Sequence, residues 1–172
     1  MNKVLIAVDN TDGANAVLSL YRELVSTPEE VVLLHVEQLV GNSLMTAMLS
    51  DSEISTLKDA VKGTDHKEAL DRNAEKVLTY CKNRLVNTGL TGIRTVIREG
   101  NPSEEILKAA VEEHVDLIIV GCSGKSRLRR YITGCVSSEV EKKAKVPVMI
   151  AKGNGCGKHA HLWNGEEEYA LQ

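Results

Sequence analysis

Between Gly121 and Ser138 the chain gathers the residue types that hold a phosphate. Glycines stand at 121, 124 and 134, Lys125, Arg127, Arg129 and Arg130 lie between them, and Cys135, Val136, Ser137 and Ser138 follow. The first N–H groups of a helix lack intrahelical acceptors and carry the positive end of its dipole, so they attract anionic oxygens. Glycines let such an oxygen come close to the main chain. The hydroxyls of Ser137 and Ser138 add donors in what reads as a first helical turn. The competing reading is a plain strand-to-helix loop with solvated basic residues. The position of the loop, after a buried apolar run and before a helix, favours the phosphate reading. Two better-known phosphate motifs are absent. Gly124-Lys125-Ser126 looks like the end of a Walker A loop, but the glycine required five positions earlier is Ile119. No G-x-G-x-x-G follows the first apolar run.

Other reactive side chains are weaker candidates. Asp9 ends the first apolar run, where it either caps the following helix or faces a ligand. His35 lies inside an apolar run and reads as a satisfied strand-end histidine rather than a catalytic one. Cys122 and Cys135 flank the glycine loop. Small buried residues are the commoner outcome for such cysteines, and a reactive thiol at a helix start is the alternative. Cys156, His159 and His161 make only three metal ligands in a Gly-rich stretch, one short of a structural zinc site. No Ser-His-Asp or Cys-His-Asn arrangement is evident, and nothing marks a base for attack on a γ-phosphate. At most, slow ATP hydrolysis or self-phosphorylation at Ser137 or Ser138 is open.

Five apolar runs and the helical patterns between them must position these residues. Val4–Val8, Val31–Val36, Ile93–Arg98, Asp116–Val120 and Val146–Ala151 have strand length, and four of them are nearly continuous in apolar residues, as strands buried on both faces are. The third carries Arg94 and Arg98, which suits an edge. Ala14, Val17, Leu18, Tyr21, Leu24 and Val25 fall at helical spacing, as do Leu70, Ala74, Val77, Leu78, Cys81 and Leu85. Gly89 is placed to close the second of these helices in the left-handed conformation. Asn101-Pro102-Ser103-Glu104 reads as a helix start in which Asn101 caps and Glu104 reaches back, ahead of the apolar face Ile106, Leu107, Ala110 and Val111. A further helix runs from about Cys135 to Ala144. Residues 37–65 are polar, with weak helical patterns at Leu44–Leu49 and Ile54–Val61, and read as an insertion with the character of a flap. Residues 153–172, Gly-rich and then acidic, read as a mobile tail. Alternating strands and helices predict a parallel sheet covered by helices on both faces.

Composition narrows the function. The chain has 172 residues and a formal net charge of −3, suited to one domain and not to the positive field that generic nucleic-acid or membrane-surface binders need. Aromatic residues make up 3% and phenylalanine is absent, which argues against single-strand stacking platforms. No run approaches the length of a membrane span and no secretory leader is seen. Four scattered cysteines read as reduced thiols, which together place the protein in the cytoplasm.

Gly121, Gly124 and Gly134 stand at the spacing G-x2-G-x9-G, and in this the chain resembles the universal stress protein family. Val8-Asp9, Leu34-His35-Val36 and Pro147-Val148 strengthen the likeness, which spans residues 1 to about 152. The resemblance implies a single doubly wound, Rossmann-like α/β domain with a five-stranded parallel sheet in the order 3-2-1-4-5. It implies ATP, or a related adenine nucleotide, in the crevice at the carboxyl ends of strands one and four, with magnesium as an optional companion. Asp9 would meet the nucleoside, the backbone of Val36 would read the adenine edge, and Gly121, Gly124 and Lys125 would line ribose and phosphates. Gly134, Cys135, Val136 and Ser137 would hold the phosphate tail. Homodimers paired through the last strand are also implied. The family places Ser or Thr after the third glycine, where this chain has Cys135, a weak donor. Binding is expected to be weakened and not lost. The expected function is that of an ATP-binding regulatory protein of the stress response. A nucleotide-free homodimeric interaction module is the alternative.

Overall fold

The computed structural model describes residues 2–9, 12–24, 27–38, 49–61, 64–122, 135–152 and 162–163. In chain order the elements are β1 (Lys3–Ala7), α1 (Asp12–Leu24), β2 (Glu30–Glu37), α2 (Asp51–Val61), α3 (Asp65–Val86), β3 (Ile93–Glu99), α4 (Pro102–Glu112), β4 (Leu117–Cys122), α5 (Val136–Lys143), β5 (Val148–Lys152) and β6 (Leu162–Trp163). The sheet runs β3-β2-β1-β4-β5-β6. Its first five strands are parallel, in the expected order, and β6 is antiparallel to β5.

Strand alternation divides the interior into two layers. Val4, Ile6, Val31, Leu33, Leu117, Ile119, Met149 and Ala151 face α1 and α3, which bring Val17, Leu18, Tyr21, Leu78, Cys81 and Leu85. Leu5, Leu34, Ile118, Val120, Cys122, Val148 and Ile150 face α4 and α5, which bring Ile106, Ala109, Ala110 and Val140. Burial of β1, β2 and β4 on both faces is the reason their sequences read as unbroken apolar runs.

β3 is the edge strand that its arginines announced. Arg94 pairs with Glu113 and, at 3.4 Å, with Glu30. Arg98 pairs with Glu112 and, at 3.6 Å, with Glu105. The charges of the edge thus tie it to the end of α4. Gly92 leads into β3 where a Cβ would come within 2.0 Å of the Glu29 carbonyl oxygen, so no other residue fits. Gly89, beyond the end of α3, has φ +87°, the left-handed conformation foreseen for it.

Three local details differ from the sequence reading. At the start of α4, Asn101 does cap, its Oδ1 accepting the Ser103 N–H at 3.0 Å with the Ser103 Oγ 2.8 Å away, but no bond from the Asn101 N–H to the Glu104 carboxylate is made among the described residues. β4 extends through Gly121 and Cys122, read as loop, because they pair with Ala151 and Lys152 of β5. Within the stretch read as a tail, Leu162–Trp163 pairs with Met149 and Val148 and covers part of the outer edge of β5. The Ile54–Val61 pattern falls in α2, whereas residues 41–48 lie outside the described residues. No described helix is long and apolar enough to cross a membrane.

Candidate functional site

In a doubly wound sheet the crevice lies outside the carboxyl ends of the strands, where the winding reverses. Here that point is between β1 and β4, whose pairing runs from Val4↔Leu117 to Ala7↔Val120. Asp9 stands two residues beyond Ala7, exposed, and its charge is felt at the Cys81 thiol. Gly121 is half-buried in the last turn of the pleat of β4. Val36, also half-buried, is one residue from the end of β2, the neighbour of β1 on the other side. Asp9, Val36 and Gly121 therefore share one sheet edge. Gly124, Lys125, Gly134 and the rest of the loop 123–134 lie outside the described residues, as do Cys156, His159 and His161.

The chain re-enters as α5. Cys135 is its N-cap, extended at φ −112° and ψ 115°, and the first intrahelical bond is Glu139 N–H to the Cys135 carbonyl. The N–H groups of Val136, Ser137 and Ser138 precede that bond, as the leading donors of any helix do. Ser137 is 2% exposed, and its Oγ lies 3.0 Å from the Cys135 sulfur. Cys135 is half-buried. Burial alone would raise its thiol pKa, but the hydroxyl and N–H groups of Ser137 and Ser138 outweigh this and hold it below the ordinary value. Cys122, by contrast, is buried at the end of β4. Glu139, in the same first turn, accepts a hydrogen bond from the buried Ser103 hydroxyl, which fixes α5 against the start of α4.

Two polar side chains that sequence reasoning gave no part in the site sit on the same face of β2, on either side of Val36. His35, 7% exposed, contacts the Val8 carbonyl through Nδ1 at 2.9 Å. Glu37, 2% exposed, meets Lys67 of α3 at 2.6 Å. The Lys67 ammonium also meets Asp71 at 2.6 Å and Glu99, the last residue of β3, at 2.7 Å. Burial would lower the Lys67 pKa, but Asp71, Glu37 and Glu99 override that and hold it well above its ordinary value. The second oxygen of Glu37, Oε1, is buried without a hydrogen-bond partner among the described residues. This ion cluster joins the ends of β2 and β3 to the start of α3, closing the root of the 37–65 stretch. A Glu and a Lys thirty positions apart carry no sequence signal of such a pairing.

The arrangement offers leading helix N–H groups, a buried first-turn hydroxyl and three strand ends facing one crevice. Among the described residues no group of three or more His, Cys, Asp or Glu side chains could hold a metal ion. Comparison with known proteins agrees with this architecture. The Universal stress protein family model matches residues 1–152. The chain is 32% identical to the universal stress protein YxiE of Bacillus subtilis over 156 residues, covering 88% of this chain and 99% of that protein. It is 30% identical to the universal stress protein MJ0577 of Methanocaldococcus jannaschii over 156 residues, 87% of this chain and 94% of that one. The solved structure of MJ0577 superposes with a TM-score of 0.65, covering 88% of this chain and 95% of that chain at 29% identity. A universal stress protein family member from Arabidopsis thaliana, solved with AMP bound, has the same fold at a TM-score of 0.56 and 18% identity, covering 90% and 93% of the two chains. The chain belongs to the universal stress protein family.

Proposed function

We propose that the protein binds ATP at the carboxyl ends of β1 and β4 and acts as a nucleotide-dependent regulator in the stress response. The observation that carries this reading is the start of α5. The leading N–H groups of α5, which have no intrahelical acceptor, and the buried Ser137 hydroxyl follow directly on the segment bounded by Gly121 and Gly134, at the sheet edge shared by Asp9 and Val36. A phosphate tail would be held at that helix start, and magnesium accompanying the nucleotide would neutralise part of the phosphate charge. The nucleoside would lie between Asp9 and the main chain of Val36, and the family resemblance assigns Gly121, Gly124 and Lys125 to its path. Cys135 offers its backbone N–H where a hydroxyl residue would offer two donors, so affinity is modest. The AMP complex of the Arabidopsis relative supports the choice of an adenine nucleotide. Residues 1–152 act as one cytoplasmic domain, with 153–172 as an appendage. The domain pairs with a second copy along β5.

Titration calorimetry with ATP and magnesium tests the reading. Wild-type protein free of co-purified nucleotide should bind, and Gly124→Ala should lose about tenfold or more in affinity, equivalent to ~1.4 kcal/mol. No binding by the wild type would overturn the nucleotide reading and leave a homodimeric interaction module.

A further inference from the structure

We propose that His35 is a positioning residue for the nucleoside end of the crevice. It fixes the corner at which β1 turns into Asp9. The proposal rests on the nucleotide reading above for its functional meaning, but its structural content stands on β1 and β2 alone.

β1 ends at Ala7, and Val8 and Asp9 follow it. Val8 is held at both ends of its backbone by two consecutive residues of β2. Its N–H donates to the Leu34 carbonyl at 2.9 Å, and its carbonyl faces His35 Nδ1 at 2.9 Å. A carbonyl oxygen can only accept, so Nδ1 carries the hydrogen and the ring is held in the Nδ1–H form. The peptide linking Val8 to Asp9 is planar. Fixing the Val8 carbonyl therefore fixes the direction in which the chain enters Asp9. The ring is 7% exposed, on the α1 and α3 side of the sheet, in a strand that also turns Val31, Leu33 and Glu37 to that side. An aliphatic residue at this position would fill the same layer and leave the Val8 carbonyl without this donor. His35 thus does for the Asp9 corner what a further rung of sheet ladder would do, at the one level where the chain must leave the ladder to form a site.

The test uses the full chain and two variants. His35→Asn keeps an N–H donor within reach of the Nδ1 position, and His35→Leu removes it while keeping the bulk. In His35→Leu, exchange of the Val8 amide hydrogen, measured against the Ile6 amide, should rise about tenfold, the scale of one buried hydrogen bond. His35→Asn should restore most of the protection. ATP affinity should follow the same order, falling in His35→Leu and recovering in His35→Asn, with no matching order in the urea midpoints. Unchanged Val8 exchange in His35→Leu, or equal behaviour of the two variants, would overturn the proposal. If the wild type binds no ATP, the nucleotide reading falls by itself and the exchange measurement still decides whether His35 holds the corner.

Discussion

Cys135 and Cys81 show how one residue type acquires two chemistries from its surroundings. Cys81 is fully enclosed by the core beneath α3, where burial pushes its thiol up to about 11, helped by the charge of Asp9 and opposed by Arg84. Cys135 is half-buried at a helix start, where burial is outweighed by polar groups of Ser137 and Ser138 that favour the thiolate. The thiolate is the reacting form, so of Cys81, Cys122 and Cys135 the native protein should be alkylated by iodoacetamide first at Cys135, at a pH below that of an ordinary thiol. Cys81 should react only toward pH 11 or on unfolding. Peptide mass spectrometry over a pH series checks this, and faster labelling of Cys81 at pH 8 would contradict it. The alkyl group would also sit on the helix start proposed for the phosphate tail, so ATP should slow the labelling of Cys135.

At the scale of elements, the ion cluster around Lys67 joins β2, β3 and α3. Glu37 is buried with one oxygen on the ammonium and the other without a partner among the described residues, so the pair is poised to be costly if broken. Lys67→Met should destabilise the fold by about 3–5 kcal/mol, because it strands a buried carboxylate. The double change Lys67→Met with Glu37→Ile should recover most of that loss. Urea denaturation of the single and double variants measures the difference. A double variant as unstable as the single one would mean that Asp71 and Glu99, and not Glu37, carry the coupling. The same cluster sets the start of α3 against the strand end that includes Val36. Loosening it should therefore raise proteolysis in residues 37–65 before the sheet itself opens.

For the whole molecule, the question is what covers the outer edge of β5. An uncovered parallel-sheet edge is a template for pairing. Among the described residues β6 meets Met149 and Val148 there, while β5 continues through Ile150, Ala151 and Lys152. A dimer built along β5 must share that edge with β6 or displace it, so association should depend on concentration. Light scattering over a dilution series should show the mass of two chains giving way to that of one. A single-chain mass at the highest attainable concentration would count against pairing through this strand.

The amino-acid order alone determined the parallel sheet, its two helical layers, the edge position of β3 and the helix start at Cys135. These follow from local patterns: unbroken apolar runs, helical spacing, Arg94 and Arg98 in a strand, and the cap residue Asn101. The family resemblance carried the strand order, which local pattern cannot, because the pairing of β1 with β4 joins residues more than a hundred positions apart. Tertiary structure alone decided the roles of His35, Glu37 and Lys67. In sequence they are a histidine in an apolar run, a glutamate at its end and one lysine among many. Their meaning is a distance: 2.9 Å to a carbonyl and 2.6 Å between opposite charges, set by which strand lies beside which and which helix covers them. The extension of β4 through Gly121 and Cys122 belongs to the same class, since only the neighbouring β5 makes those residues a strand.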